Sequence, residues 1–171
     1  FRSSGGFLKI FFSLGVLTFF YWVMVLNFPL AGIFLENPLL SFSVILGLMN
    51  LSIYNWLNRF DSLKTYSYLP LDAFSLAESK ERAYLVLALP LSYILILGSY
   101  MIYSGHLIIA LVSVTATTLY GMAVAVRVLG LDTNERLFQA DIFMKYMLGV
   151  GALLIPLLYL SVIFDIRFFL H

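Results

Sequence analysis

The chain has 171 residues, of which 62% are hydrophobic, 17% aromatic and only 11% charged, with a formal net charge of +1. A soluble domain is about a quarter charged, so this composition excludes a soluble globule and predicts an integral membrane protein. The basic residues are spread over several polar segments and suggest no nucleic-acid partner, and the absence of Cys excludes disulfides and thiolate metal sites.

The chain opens on Phe1-Arg2-Ser3-Ser4-Gly5-Gly6 without an initiating Met, which reads as the start of a fragment. The first apolar run is too long for the core of a signal peptide and lacks a small-residue cleavage site. It predicts a first span over 10–30, with Lys9 snorkelling at its start and Asn27, Pro29 and Gly32 breaking its end. Glu36-Asn37-Pro38 restarts a helix, with Asn37 as cap and Pro38 in the first helical position.

The second span, 38–57, carries Ser41, Ser43, Asn50, Ser52 and Asn55. Asn50 and Tyr54 lie one turn apart and share a face. Polar groups at this depth face protein or water, not lipid. Two readings stay open: hydrogen bonding to a neighbouring helix, or lining a pathway.

Residues 58–82 form the long polar loop NRFDSLKTYSYLPLDAFSLAESKER, with Arg59, Lys64, Lys80 and Arg82. Pro70 lacks an N–H and pushes Leu69 toward an extended backbone, so no helix runs through this point. Asp72 can cap a new helix beginning at Ala73, predicted to be short and to lie at the membrane surface. Phe60, Tyr66, Tyr68 and Phe74 add aromatic surface. On residue types alone, the simpler reading of the loop is a solvated connector between two spans.

Residues 83–126 contain no Asp, Glu, Lys or Arg, which suits two spans, 83–103 and 106–127. Ser104-Gly105-His106 is the predicted hairpin turn, and Pro90 should kink the first of the pair. Ser113, Thr115, Thr117 and Thr118 are expected to bond back to their own helix rather than touch a substrate. A second polar loop covers 128–144, with Gly130 as a helix C-cap. The fifth span, 145–165, contains Gly149 and Gly151, which permit close helix contact, and Pro156, which should bend it.

With five spans, one side holds Arg2, Lys9, Arg59, Lys64, Lys80, Arg82, Arg127, Arg136 and Lys145, and the other only Arg167. That bias predicts a cytoplasmic N-terminus and two cytoplasmic polar loops. His106 and His171 have no carboxylate or second His at ligand spacing, so no metal site is expected. There is no phosphate-binding Gly-rich loop, G-x-S-x-G or H-E-x-x-H, and no ionised residue placed firmly at mid-depth. An enzyme, a cofactor protein and a proton-driven carrier are therefore not expected.

The run Asn58-Arg59-Phe60-Asp61, then Tyr66, then Leu69-Pro70-Leu71-Asp72, then Lys80, resembles the membrane subunits of ABC-2 type exporters. Gly130-Leu131-Asp132-Thr133-Asn134-Glu135-Arg136-Leu137-Phe138 is similar to the second polar loop of such permeases in archaea and bacteria. The resemblance covers roughly 50–159. It implies that the first polar loop couples to a separate cytoplasmic ATPase through Phe60, Asp61, Lys64, Tyr66, Tyr68, Leu69, Pro70, Leu71, Asp72 and Lys80. It also implies a prokaryotic cell membrane, a homo- or hetero-dimer of membrane subunits, and no ATPase site on this chain. Two departures stand out. Ser62-Leu63 replace the Glu that many relatives carry after Phe-Asp, and five spans are counted where the family has six and an amphipathic N-terminal helix.

The expected protein is all-α and polytopic, a single transmembrane domain over 1–171 with about five transmembrane helices and a short cytoplasmic coupling-type helix. The expected function is a membrane subunit of an ATP-driven exporter, with Asn50, Tyr54 and Thr117 as candidate pathway residues. The alternative is a structural or assembly subunit of a larger membrane complex. A lipid-acting enzyme is disfavoured by the missing catalytic residues.

Overall fold

The computed structural model describes residues 4–27, 38–59, 73–130 and 140–152. These form helices α1 (Ser4–Asn27), α2 (Pro38–Met49), α3 (Leu51–Arg59), α4 (Ala73–Ile102) and α5 (Leu107–Val128), with a further helical segment, α6, at 140–152. No strand occurs among the described residues. Among the described residues three stretches are long and apolar enough to cross a membrane: Pro38–Asn55, Ser75–Ile102 and Leu107–Val128. In α1 the apolar part, Phe11–Asn27, is shorter. Most of the expected fifth span lies outside the described residues.

Local signals explain the helix ends. α2 begins at Pro38, whose fixed φ suits the first turn and whose missing N–H costs nothing there. α4 and α5 are joined by residues 103–106, the expected hairpin turn. Just past the end of α5, Gly130 takes φ 64° and donates its N–H to Ala125 O at 3.2 Å and Val126 O at 3.1 Å, which closes the helix. Only glycine adopts that left-handed conformation without steric cost.

One expectation needs correction. The short surface helix is not separate: the helix that opens at Ala73 runs on as α4 to Ile102, through Pro90. Ala73 to Leu89 contains no Gly or Pro and is rich in Ala, Leu, Glu, Lys and Arg, so nothing stops it. Arg82 also pairs with Glu78 one turn earlier, at 2.6 Å. The second span, expected over 38–57, corresponds to the apolar stretch Pro38–Asn55. Residue 50 is a turn between α2 and α3, where Ile53 N–H bonds to Asn50 O three residues back at 2.8 Å.

α2 packs most extensively on α5, and α4 packs on both. α4 buries about one residue per turn, through Lys80, Tyr84, Ala88, Ser92, Ile96 and Ser99. Its other face exposes Val86, Ile94, Leu97 and Met101. α5 turns Ala110, Val114, Thr117, Thr118, Gly121 and Ala125 inward. The bundle thus turns its small and polar residues inward, beside large ones such as Phe42, Leu46, Tyr54 and Tyr84, and leaves a broad apolar surface outside, as expected where the solvent is hydrocarbon.

The bundle has two distinct ends. At one, Tyr21 Oη donates to Pro38 O at 2.7 Å, Trp22 stacks on Tyr103 at 6.2 Å, and Gly105 lies against Leu39. At the other, Tyr54 Oη donates to Gly130 O at 3.3 Å and its ring stands edge-on to Tyr84 at 5.8 Å.

Candidate functional site

Asn50 sits about 18 Å along the helix from Pro38. Ser92 is about 15 Å from the Ile102 end of α4, and Thr118 about 16 Å from the start of α5. With a hydrocarbon core about 30 Å thick, all three lie near mid-depth. They meet there. Asn50 Nδ2 donates to Ser92 Oγ at 2.8 Å and to Thr118 Oγ1 at 2.9 Å. Ser92 Oγ spends its own proton on Ala88 O at 2.8 Å. One asparagine thus ties α2 to both α4 and α5.

The node forms because the backbones around it approach closely. A methyl group built on Gly47 would overlap Thr117 Oγ1 and come within 2.8 Å of Thr117 Cβ. Thr117 itself bonds back to Ser113 O at 2.7 Å, which satisfies its hydroxyl within its own helix. Thr115 does the same toward Leu111 O at 2.7 Å. It also meets Tyr93 Oη at 2.8 Å, a second polar tie between α4 and α5. Nearer the Gly105 end, Trp22 Nε1 donates to Ser99 Oγ at 2.8 Å and ties α1 to α4.

The three candidate pathway residues therefore come together on one buried seam. Asn50 and Thr117 have no exposed surface, and Tyr54 is 1% exposed. In this packing they face neighbouring helices. Lys80 is the one coupling candidate within the described residues. It is 8% exposed, on the inward face of α4. Phe60, Asp61, Lys64, Tyr66, Tyr68, Leu69, Pro70, Leu71 and Asp72 lie outside the described residues, as does Asn37.

Sequence reasoning singled out Asn50 but not Ser92, Gly47 or Tyr84, and it placed Thr118 on its own backbone instead of opposite Asn50. A small residue facing Asn50 on each neighbouring span was the available signal. It does not specify which of the many serines, threonines and glycines does so. Gly149 does serve close contact: Tyr120 Oη donates to its carbonyl at 2.7 Å, and a methyl there would lie 2.9 Å from Val124 Cγ1. Gly151 has open space around its Cα.

Among the described residues no cluster of His, Cys, Asp and Glu could hold a metal ion. The node offers hydrogen bonds, not acid–base or nucleophilic chemistry. Comparisons with protein-family models, with curated proteins and with solved structures find no match.

Proposed function

We propose that this chain is a membrane subunit of an ATP-driven exporter of the ABC-2 type, working with a separate cytoplasmic ATPase. In this reading the N-terminus and both polar loops face the cytoplasm, as the nine-to-one split of basic residues suggests. The observation that carries the reading is the loop Phe60 to Lys80, with its resemblance to the coupling segments of such exporters. Its position supports the same idea. It joins the end of α3 to the start of α4, and both helices enter the core through the Tyr54–Tyr84 contact. A force on the loop would be felt at Asn50, where α2 gives way to α3.

A second reading has its own support. The burial of Asn50, Tyr54 and Thr117 fits interhelical glue, and so a structural or assembly subunit of a larger membrane complex.

The double substitution Tyr68→Ala with Leu69→Ala separates the two. For an exporter subunit, expression and insertion stay near normal while ATPase association, read by pull-down with an ATPase that co-purifies with the chain, is lost. Full retention of ATPase binding and ATP-dependent transport would remove the coupling role. Failure to assemble would favour the assembly subunit.

A further inference from the structure

Two buried side-chain oxygens among the described residues have no hydrogen-bond partner, Asn50 Oδ1 and Tyr84 Oη. Both residues have no exposed surface. An orphaned buried oxygen is unfavourable, and lipid offers it no donor. Asn50 also stands at the interruption between α2 and α3, where the backbone ladder is already irregular.

The local hydrogen bonds define what is missing. Both amide protons of Asn50 are spent, one on Ser92 and one on Thr118. Ser92 has given its proton to Ala88 O. Thr118 Oγ1 accepts from Asn50 and keeps a proton to donate. Exchanging the amide's oxygen and nitrogen does not cure the defect, because an NH2 group is then left without acceptors. The site calls for a small partner that can both donate and accept. Water donates to Asn50 Oδ1 and accepts from the Thr118 hydroxyl, two of the roughly three bonds a buried water makes.

The second orphan supplies the direction. Tyr84, Ala88 and Ser92 follow one another at single-turn spacing on the buried face of α4. The ring of Tyr84 meets that of Tyr54, one turn beyond Asn50. Both orphaned oxygens thus belong to one buried strip between Asn50 and the Gly130 end. Toward the Gly105 end the comparable groups are satisfied: Trp22 Nε1 by Ser99 and Tyr21 Oη by Pro38 O. We propose that the strip from Tyr84 to Asn50 holds water, with a hydration site at the α2–α3 break built by Asn50 Oδ1 and Thr118 Oγ1. The half of the bundle from Asn50 to the Gly105 end is dry. This inference is independent of the exporter reading.

Radiolytic hydroxyl labelling of the full chain in nanodiscs, in ¹⁸O water, tests it. Each residue's rate is normalised to its rate in unfolded protein. Tyr54 and Tyr84 should label on the order of tenfold faster than Phe42, which is equally buried in α2 but nearer the Gly105 end. Asn50→Leu removes the acceptor and should slow labelling at Tyr54 severalfold while Tyr84 keeps its rate. Thr118→Val, nearly isosteric, should slow Tyr54 as well and serves if the Asn50 variant does not fold. Labelling of Tyr54 and Tyr84 no faster than that of Phe42 overturns the proposal. Wild-type rates at Tyr54 in both folded variants would overturn the assignment to Asn50 and Thr118.

Discussion

α2 with the start of α3 and α4 are both apolar enough to cross a bilayer, yet the fold uses them in opposite ways. Of Pro38–Asn55, 67% is buried; of the most apolar 18 residues in Ser75–Ile102, 22%. The buried element carries Ser41, Ser43, Gly47 and Asn50 inward, whereas the outer one presents Val86, Ile94 and Met101 outward. In water the more apolar helix would occupy the centre. In lipid, hydrocarbon solvates Ile and Met as well as a protein core does. What selects the central helix is close backbone approach and the need of polar groups for partners.

The comparison breaks first if the outer face of α4 is made to behave like α2. Ile94 is 66% exposed and near mid-depth. Ile94→Asp should disfavour insertion by about 3–4 kcal/mol, read as loss of correctly inserted protein in a glycosylation-mapping assay. Ile94→Leu should leave stability within about 0.5 kcal/mol. Tolerance of Asp at this position would mean that the face meets protein or water instead of lipid.

The central side of the comparison is tested by bulk. Gly47→Leu drives a side chain into Thr117 and should cost about 1–3 kcal/mol, visible as a lower melting temperature in detergent. Gly98→Ala is the control, because a methyl there meets nothing within 4 Å. It should be neutral or stabilise by up to about 1 kcal/mol. Equal responses at the two glycines would erase the distinction between the faces.

The smallest effect is expected at the polar node. Asn50→Ala loses two interhelical hydrogen bonds and should lower stability by about 0.6–2 kcal/mol. Combined with Ser92→Ala, the loss should be less than additive, since the two residues share a bond. A stable Asn50→Ala protein with altered transport would instead place Asn50 on a route.

Much of the framework was legible in the residues. Pro38 starts α2, residues 103–106 turn between α4 and α5, and Gly130 ends α5, because each answers to a local backbone rule that neighbours do not override. The continuity of α4 was misread. Asp72 and Pro70 marked where a helix could begin, but the change from polar to apolar residues near Ala83 is a change of solvent, not of backbone preference. A helix crosses such a boundary freely when no Gly or Pro intervenes.

The sequence by itself determined the solvent, the all-helical class and the ends of most helices, since composition and local backbone preference decide those. Only the tertiary structure decided which face of each helix is inside. When nearly every residue is apolar, hydrophobic periodicity carries no contrast, so Lys80, Tyr84, Ala88, Ser92, Ile96 and Ser99 do not announce themselves as one buried stripe. Nor could the sequence pair Asn50 with Ser92 and Thr118, which lie 42 and 68 residues away. That pairing depends on Gly47 letting α2 and α5 approach, and close approach is a property of two surfaces together, not of either helix alone.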